Sequence, residues 1–379
     1  YEKSDGTLGT VTSGNPAFTY SGGTAQGVLL EGARTNLALQ SETFGTTWGV
    51  SAASISSNTG ATTDPAGGNN ADAIVENGTP AVPHRVSQSM SVTTGTAYTL
   101  SVYAKQGARR YLQLVFGTTL FPVNAYGNFD LQSGTIVSTG AAATSSITPA
   151  ANGFYRVMIT ATAAGTGLNN QFINPSADGS SASFNGVNTQ VATYLWGAQM
   201  EAGAFASSYI PTTTGSANRV ATSLTRSWNF PSNDFSGQMR LRMNVASTAS
   251  LGGNPGLLTI SNGTSNRLVL YLSDSNKSVA REKVVGGSAS YGGSLAQTFA
   301  AGDVLNIRFR QSSSTGFSIW VDGDAVQTYA VTSSFTSAPV NIYLGAYGET
   351  GALSTLSAVV ESLTIWNEAK SDAFLEALE

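Results

Sequence analysis

The amino-acid sequence predicts an all-β protein of two tandem β-sandwich domains, with one short helix at the C-terminus. Large apolar side chains alternate with small or polar ones in many short stretches, the period-two pattern of a strand with one buried face. Turn-forming sequences rich in Gly, Asp, Ser and Thr separate these stretches. Many short strands punctuated by turns in this way are typical of β-sandwiches.

The alternating segments run through both halves of the chain. Residues 98–104, for example, change at every step between large apolar and small or polar side chains. The same period predicts strands at residues 112–116, 154–160, 191–196, 239–245, 268–272, 304–309, 317–321, 340–344 and 359–366. Turns are predicted between them, as at residues 94–96, 130–134 and 322–324.

One segment favours a helix, at the extreme C-terminus. Ser371 is a suitable N-cap, and Phe374, Leu375 and Leu378 follow at helical spacing.

The composition excludes several classes of function. Charged residues make up 11% of the 379 residues, with Lys+Arg 18 against Asp+Glu 22 and no basic cluster of the kind that binds nucleic acid. No apolar run is long enough for a transmembrane helix, so we expect no membrane insertion. Cysteine is absent, which excludes disulfides and thiolate chemistry, and the one histidine, His84, has no obvious nucleophile beside it.

The chain is long enough for two domains. We predict an extended arm at residues 1–27, a first sandwich at 28–210, a linker at 211–226 and a second sandwich at 227–379. The arm and the linker are predicted from their small, polar residues without periodicity. Because the chain starts at Tyr1 without a methionine, we expect it to be a fragment of a longer protein.

Two segments of the first half carry a resemblance to a known family. They are GVLLEGARTNLALQSETFGTTWG (residues 27–49) and YLWGAQMEAGAFASSYIPT (194–212). Together they resemble a domain of bacteriophage virion proteins found in tail fibres, tailspikes and head-associated proteins. Its layout is similar to that of jelly-roll carbohydrate-binding modules, which implies a jelly-roll-like fold for the first domain.

The second half is similar to concanavalin A-like and laminin-G-like sandwiches. The segments that carry this likeness are LNIRFRQSSSTGFSIWVDGDAV (305–326), with its Val-Asp-Gly turn, and the closing ESLTIWNEAKSDAFLEAL (361–378). The resemblance implies a second lectin-like fold.

The resemblance to carbohydrate-binding jelly rolls raises the question of a structural calcium. In many of them the last strand carries an aspartate, whereas residues 194–200 here contain no acid before Glu201. Calcium prefers several oxygen ligands, including carboxylates. The candidates are Glu31, Glu42 and Glu201, although no cofactor is required. A second interpretation of Glu31 makes it the partner of Arg34 in an internal clamp.

A lectin-like site needs an exposed aromatic ring for the apolar face of a sugar, and polar groups for its hydroxyls. Tyr103 falls on the opposite strand face from Tyr98, Leu100 and Val102. Our candidate glycan contacts are Tyr103, Arg109, Tyr111 and Tyr347.

No pair of carboxylates has the placement that glycoside hydrolysis requires, so we expect no enzymatic activity. The leading hypothesis is a non-catalytic virion-surface protein that binds host cell-surface polysaccharide, contacts other virion proteins and forms a homotrimer. The arm is its expected contact with a neighbouring chain. The alternatives are a structural capsid or head-fibre decoration protein without sugar binding, and a polysaccharide-degrading tailspike module. Fold alone does not decide among them.

Overall fold

The computed structural model describes residues 1–11, 15–251, 253–293, 296–330, 335–347, 351–352 and 357–378; of residues 347, 351 and 352 only the backbone is described. The fold class is confirmed: strands dominate both halves, and the one α-helix of the described residues is short and C-terminal. Strands lie at every segment for which alternation predicted one.

The first eighteen strands precede residue 220. They are β1 (Phe18–Ser21), β2 (Thr24–Glu31), β3 (Arg34–Asn36), β4 (Gly49–Ser51), β5 (Ala53–Ser56), β6 (Asp72–Glu76), β7 (Val82–Pro83), β8 (Arg85–Val92), β9 (Ala97–Gln106), β10 (Tyr111–Phe116), β11 (Tyr126–Asp130), β12 (Thr135–Thr139), β13 (Thr144–Pro149), β14 (Tyr155–Thr162), β15 (Gly167–Ser176), β16 (Ser183–Phe184), β17 (Val191–Ala202) and β18 (Ala217–Arg219). A 3₁₀ turn, Ala151–Gly153, precedes β14.

The remaining elements follow residue 220. They are β19 (Leu224–Ser227), β20 (Phe235–Met243), β21 (Gly256–Ser261), β22 (Asn266–Leu272), β23 (Val279–Val285), β24 (Ser288–Gly293), β25 (Val304–Ser312), β26 (Gly316–Val321), β27 (Gln327–Tyr329), β28 (Asn341–Leu344), β29 (Ala346–Tyr347), β30 (Gly351–Ala352), β31 (Ser357–Trp366) and α1 (Asp372–Glu376). As predicted, the Ser371 side chain caps α1 by accepting a hydrogen bond from the Phe374 amide at 3.2 Å.

The first compact unit comprises Tyr1–Thr10 and Arg34–Arg219. It is a sandwich of two six-stranded antiparallel sheets, ordered β12-β11-β10-β15-β8-β4 and β13-β14-β9-β17-β6-β5. The core between the sheets is built from the inward side chains of both, such as Leu100, Leu114 and Ile159, each fully buried. Burial of these apolar side chains is what specifies the two layers.

A bulge in β17 sets which side chains of that strand face outward. The register against β9 shifts between Trp196 and Gln199, around Gly197, whose φ of 62° favours glycine. Trp196 and Gln199 therefore both lie on the outer face, while Ala198 and Met200 join the core between the sheets.

Residues 34–49 and 194–212 pack against each other in this unit. The Asn36 side chain donates to the carbonyls of Ala198 and Ile210 at 3.0 and 2.8 Å, and accepts from the amides of Ala38 and Met200. This asparagine is fully buried, and all of its hydrogen-bonding capacity is used.

The second compact unit comprises Val11–Ala33 and Val220–Glu379. Its sandwich consists of a seven-stranded sheet ordered β1-β2-β31-β20-β25-β26-β27 and a six-stranded sheet ordered β19-β28-β21-β22-β23-β24. Buried side chains such as Phe309, Phe317 and Leu270 fill its interior.

The predicted domain boundaries differ from this division. Within the predicted arm, residues 18–31 form the β1–β2 hairpin, and β2 pairs with β31 from Val28 with Val360 to Glu31 with Ser357. The hairpin turns through Gly22 and Gly23, both at positive φ, which is a hairpin geometry that glycine favours. Tyr1–Thr10 belongs instead to the first unit, where the Leu8 amide donates to the Pro65 carbonyl at 2.9 Å.

The predicted linker, residues 211–226, also contains ordered strands. Its β18 pairs with β3 in the first unit, and β19 pairs with β28 in the second. The units divide between Arg219 and Val220, and also between Thr10 and Val11 and between Ala33 and Arg34. Small, polar composition therefore did not distinguish a connector from short edge strands.

Two cationic side chains lie buried inside the second sandwich. Arg281 and Lys283 share one face of β23 and are each 5% exposed; Arg281 lies over the rings of Phe317 and Tyr329, and Lys283 over that of Phe335. Burial, helped by the nearby charge of Arg281, lowers the pKa of Lys283 to about 8.

We predict that the chain stays assembled when it is cut at the unit boundary. Val220 is 79% exposed, so a protease site inserted before Ala221 should be cleaved. The two pieces should co-elute under native conditions, because the β2 strand of the N-terminal piece is paired with β31 of the C-terminal piece. Separation into two folded pieces on a native sizing column would contradict this pairing.

We predict that Lys283→Met stabilises the protein at neutral pH. The pKa of Lys283 is lower in the folded state than its ordinary 10.5, so the unfolded chain binds more protons between about pH 8 and 10.5. Wild-type stability should therefore rise relative to the variant across this window, by up to about 3 kcal/mol. Urea unfolding at a series of pH values measures the difference in stability, with Lys3→Met, at a partly exposed lysine, as the control. A difference between wild type and variant that stays constant across the window would refute the prediction.

Candidate functional site

The outer face of the sheet β12-β11-β10-β15-β8-β4 in the first unit carries an ordered polar surface. Strand β10 shows how it arises: Leu112, Leu114 and Phe116 are fully buried in the core. Tyr111 and Gln113, which alternate with them, point to the other face and are partly exposed.

Three amide side chains stand side by side across this face. Gln113 of β10 is paired with Asn128 of β11 on one side and with Asn174 of β15 on the other. The row continues to Ser138 of β12, which is paired with Asn128. One step beyond the last paired position of β15 and β8, Ile173 with Val86, Arg85 comes opposite Asn174. We call these five side chains the amide row: Arg85, Gln113, Asn128, Ser138 and Asn174.

The amide row does not satisfy its own hydrogen-bonding capacity. Asn128 donates to the Ser138 hydroxyl at 2.9 Å, and Asn174 donates to the Gln113 Oε1 at a long 3.4 Å. Asn128 and Asn174 are 1% and 2% exposed, yet the Oδ1 atom of each accepts no hydrogen bond. A buried acceptor without a donor is costly, so these two oxygens favour a donor supplied from outside.

Aromatic rings lie on both sides of the amide row. Tyr111 occupies the next outward position along β10, and Phe172 the next outward position along β15. Both are partly exposed. The Arg85 guanidinium lies 4.3 Å from the centre of the Phe172 ring, a cation–π contact.

The end of the face near Tyr111 is electrically neutralised. Arg110 donates from Nε and Nη2 to both carboxylate oxygens of Asp130, at 2.9 and 2.5 Å. These hydrogen bonds hold the pKa of Asp130 well below its usual range.

The structure gives different outcomes for the four predicted glycan contacts. Tyr111 lies on this face, next to the amide row. For Tyr347 the structure describes only a backbone position in β29, so its side chain lies outside the described residues.

Arg109 belongs to an internal ion pair. Its Nε and Nη2 donate to the two oxygens of Glu76 at 2.6 and 2.7 Å, and its guanidinium lies 4.4 Å from the centre of the Phe184 ring. Burial raises the pKa of Glu76, but the hydrogen bonds from Arg109 and from the Val187 amide outweigh it and lower the pKa below 4.5. Arg109 is therefore a structural residue, and its assignment as a glycan contact is corrected.

Tyr103 is likewise corrected. It lies on the outer face of the other sheet, as its odd position predicted, but it is only 4% exposed. Its ring contacts those of Trp196 and Tyr209, with centroids 5.4 and 6.1 Å away. A ring enclosed in this way has no free surface for a sugar.

The three candidate calcium ligands do not form one site. Glu31 is in the second unit, whereas Glu42 and Glu201 are in the first. Glu201 forms a buried ion pair with Arg34 and accepts hydrogen bonds from the Ser207 amide, the Ser207 hydroxyl and Gln199. The clamp expected for Arg34 was with Glu31, whereas the ion pair in the structure joins Arg34 to Glu201.

Glu42 accepts a hydrogen bond from Tyr209 at 3.0 Å, and burial raises its pKa. Within the described ranges, no group of three or more His, Cys, Asp or Glu side chains is arranged for a metal ion. The same ranges contain no helix with the length and apolar character of a membrane span.

The second unit has a cleft of about 300 Å³. It is lined mainly by apolar residues, Leu224, Trp228, Ile342, Leu344, Leu363 and Ile365, together with Thr225 and Arg226. Apolar walls of this kind offer few partners for polar ligands, so the amide row is the better candidate site.

Sequence reasoning missed Arg85, Gln113, Asn128, Phe172 and Asn174. The available signal was the alternation of β10, which placed Gln113 outward. Its partners lie 15 and 61 positions further along the chain, so the row is visible only once the strand register is known.

No protein-family model and no curated protein sequence matches the chain. Several solved structures have remote likeness to it, among them the following three. The CBM40 module of the Ruminococcus gnavus IT-sialidase, bound to α2,6-sialyllactose, is 14% identical; the match covers 38% of this chain and 82% of the module, with a TM-score of 0.32.

The mouse laminin α1 chain, domains LG4-5, is 11% identical over 78% of this chain and 90% of that one, with a TM-score of 0.28. Trypanosoma rangeli sialidase in complex with sialic acid is 10% identical over 81% and 60%, with a TM-score of 0.29. At these scores the likenesses are too remote to assign a site or an activity to this chain.

We predict that Arg109→Met destabilises the first unit by about 3 kcal/mol, because it leaves the buried Glu76 carboxylate without its cation. Adding Glu76→Gln should recover part of this loss, since the unpaired charge is then removed. Denaturant unfolding of the single and double variants measures both effects. A loss below 1 kcal/mol in the single variant would contradict the structural role.

Proposed function

We propose that this protein is a non-catalytic glycan-binding protein of a bacteriophage virion surface, and that it binds host-surface polysaccharide through the amide row. The observation that carries the proposal is the pair of buried, unpartnered amide oxygens of Asn128 and Asn174 on an otherwise outward-facing surface. Sugar hydroxyls are donors of the kind these oxygens lack.

In the free protein the amide oxygens of Asn128 and Asn174 accept no hydrogen bond. A buried acceptor left unsatisfied costs about 1–3 kcal/mol, and a bound hydroxyl recovers part of that cost. Because both oxygens are covered, the partly exposed side chains around them, Gln113 foremost, must rotate before a ligand reaches them. The hydrogen bond from Asn174 to Gln113 is long, at 3.4 Å, so Gln113 is the most weakly held side chain of the amide row.

Packing of sugar rings on aromatic side chains supplies the second contribution to glycan binding. Sugar rings present apolar C–H faces, which pack on aromatic rings. Tyr111 and Phe172 border the row on opposite sides, so a ring placed over Gln113 has an aromatic neighbour on each side. Across five strands spaced by about 4.8 Å the row is about 19 Å long, which accommodates more than one sugar ring.

Binding without cleavage is supported by the state of Asp130. Glycoside hydrolysis by the common route needs a general acid with a raised pKa and a second carboxylate. Asp130, on this face, is held by Arg110 with its pKa lowered, which is the reverse of what a general acid requires.

The virion assignment rests on the sequence resemblance of residues 27–49 and 194–212, most of which lie in the first unit, where Asn36 joins them. A homotrimer at the virion surface fits weak sugar sites. A site of millimolar affinity contributes about −4 kcal/mol, and linking several sites raises the avidity by roughly 10²–10⁴.

We predict that Gln113→Ala weakens binding to the recognised glycan about tenfold, through the loss of a hydrogen-bonding group at the centre of the row. The full chain is first screened on an array of host-surface glycans, and the affinity of the best ligand is measured by calorimetry. The control is Thr148→Ala, on the outer face of the other sheet, which should leave the affinity unchanged.

Four outcomes separate the hypotheses. Loss of affinity in Gln113→Ala alone supports the amide row. A glycan-binding wild type with unaffected Gln113→Ala moves the site elsewhere, and no binding to any glycan favours a structural decoration protein. Release of reducing sugar from host polysaccharide would overturn the non-catalytic assignment in favour of a degrading tailspike.

A further inference from the structure

We infer that the glycan recognised by the amide row is anionic, and that its carboxylate or sulfate group pairs with Arg85. The inference rests on the proposed function and adds the chemical class of the ligand.

Arg85 stands at the end of the amide row. It is the first residue of β8, paired with Ser51 of β4, and it comes opposite Asn174 on the side away from Gln113. Its guanidinium is held against the Phe172 ring at 4.3 Å. A ligand that lies along the row with its hydroxyls on the amides therefore presents one end to Arg85.

The charge of Arg85 is not neutralised by the protein. Three other arginines of the first unit have carboxylate partners: Arg34 pairs with Glu201, Arg109 with Glu76 and Arg110 with Asp130. In the part of the chain that the structure describes, no carboxylate forms an ion pair with Arg85. Burial lowers the pKa of Arg85, and no acidic neighbour offsets that effect.

A partly buried, unpaired guanidinium is costly, and an anion from outside is the group that neutralises it. The fork of N–H donors matches the two oxygens of a carboxylate or a sulfate in a bidentate arrangement. Because the guanidinium already packs against the Phe172 ring, 4.3 Å from its centre, less conformational freedom is lost when such a pair forms. An acidic sugar satisfies Arg85 and the amide row together; a neutral sugar satisfies only the amides.

The test uses the full chain and a glycan array whose members include carboxylated, sulfated and neutral oligosaccharides. A galacturonate trisaccharide and its methyl ester serve as a pair in which esterification removes the charge and adds one methyl group to each carboxyl. We expect the acidic glycans to dominate binding, and esterification to weaken it about tenfold or more. The carboxylated and sulfated members identify which anion is preferred.

Arg85→Gln should remove the preference for acidic glycans, and Arg85→Lys should restore part of it, since a lysine keeps the charge but not the fork. Arg226→Gln, an exposed arginine of the second unit, makes the same change of net charge and should have no effect. Circular dichroism and thermal unfolding establish that each variant is folded.

The outcomes distinguish this inference from the proposed function. If neutral glycans bind as tightly as acidic ones and Gln113→Ala still weakens them, the amide row stands and the anionic ligand is refuted. If Arg85→Gln keeps the full preference for acidic glycans, Arg85 is refuted as its source. If no glycan binds at all, the proposed function fails, and this inference fails with it.

Discussion

The register of β10 is the constraint on which the first sandwich and its candidate site both depend. Leu112, Leu114 and Phe116 must face the core, and because side chains alternate with period two, this fixes Tyr111 and Gln113 outward. A slip of β10 by one residue would turn Gln113 toward the core and expose Leu112, Leu114 and Phe116. Burial of the apolar side chains of β10 therefore holds the amide row in place. The hydrogen bonds of the amide row itself do not stabilise that arrangement. Since this scaffold is rigid, only side-chain rotations are required for a ligand to reach the row.

The protein handles its few buried polar groups in two contrasting ways. Asn36 is fully buried, and every hydrogen bond that its amide can form is made within the first unit. Arg34 and Glu201 are likewise paired with each other in the interior. Asn128 and Asn174 are almost as buried, yet each keeps an oxygen without a donor. Asparagine thus joins two segments of the first unit at position 36, whereas Asn128 and Asn174 each keep an acceptor oxygen available for a ligand. This difference is visible only in the contacts of the structure.

Alternation and turn chemistry were sufficient to predict ten of the strands, the two sandwiches and the cap of the terminal helix, because these depend on neighbours in sequence. The β1–β2 hairpin was missed although its Gly22–Gly23 turn is a hairpin signal. The small, polar residues around that turn were interpreted as an extended arm. Arg109 and Tyr103 were misjudged because their partners, Glu76 and Trp196, are distant along the chain. Exposure of a polar or aromatic side chain is decided by tertiary contacts, and local sequence carries little information about them.

The low charge of the chain determines how an anionic ligand would be recognised. With a formal net charge of −4, the protein has no positive field that would attract an acidic polysaccharide from a distance. Selectivity must then arise at contact, from one guanidinium fixed on Phe172 and a row of neutral amides. A single site of this kind would bind its ligand weakly. Its affinity would depend only modestly on the salt concentration, because one charge pair is involved. Under the proposed function, attachment to a surface would then require several copies acting together.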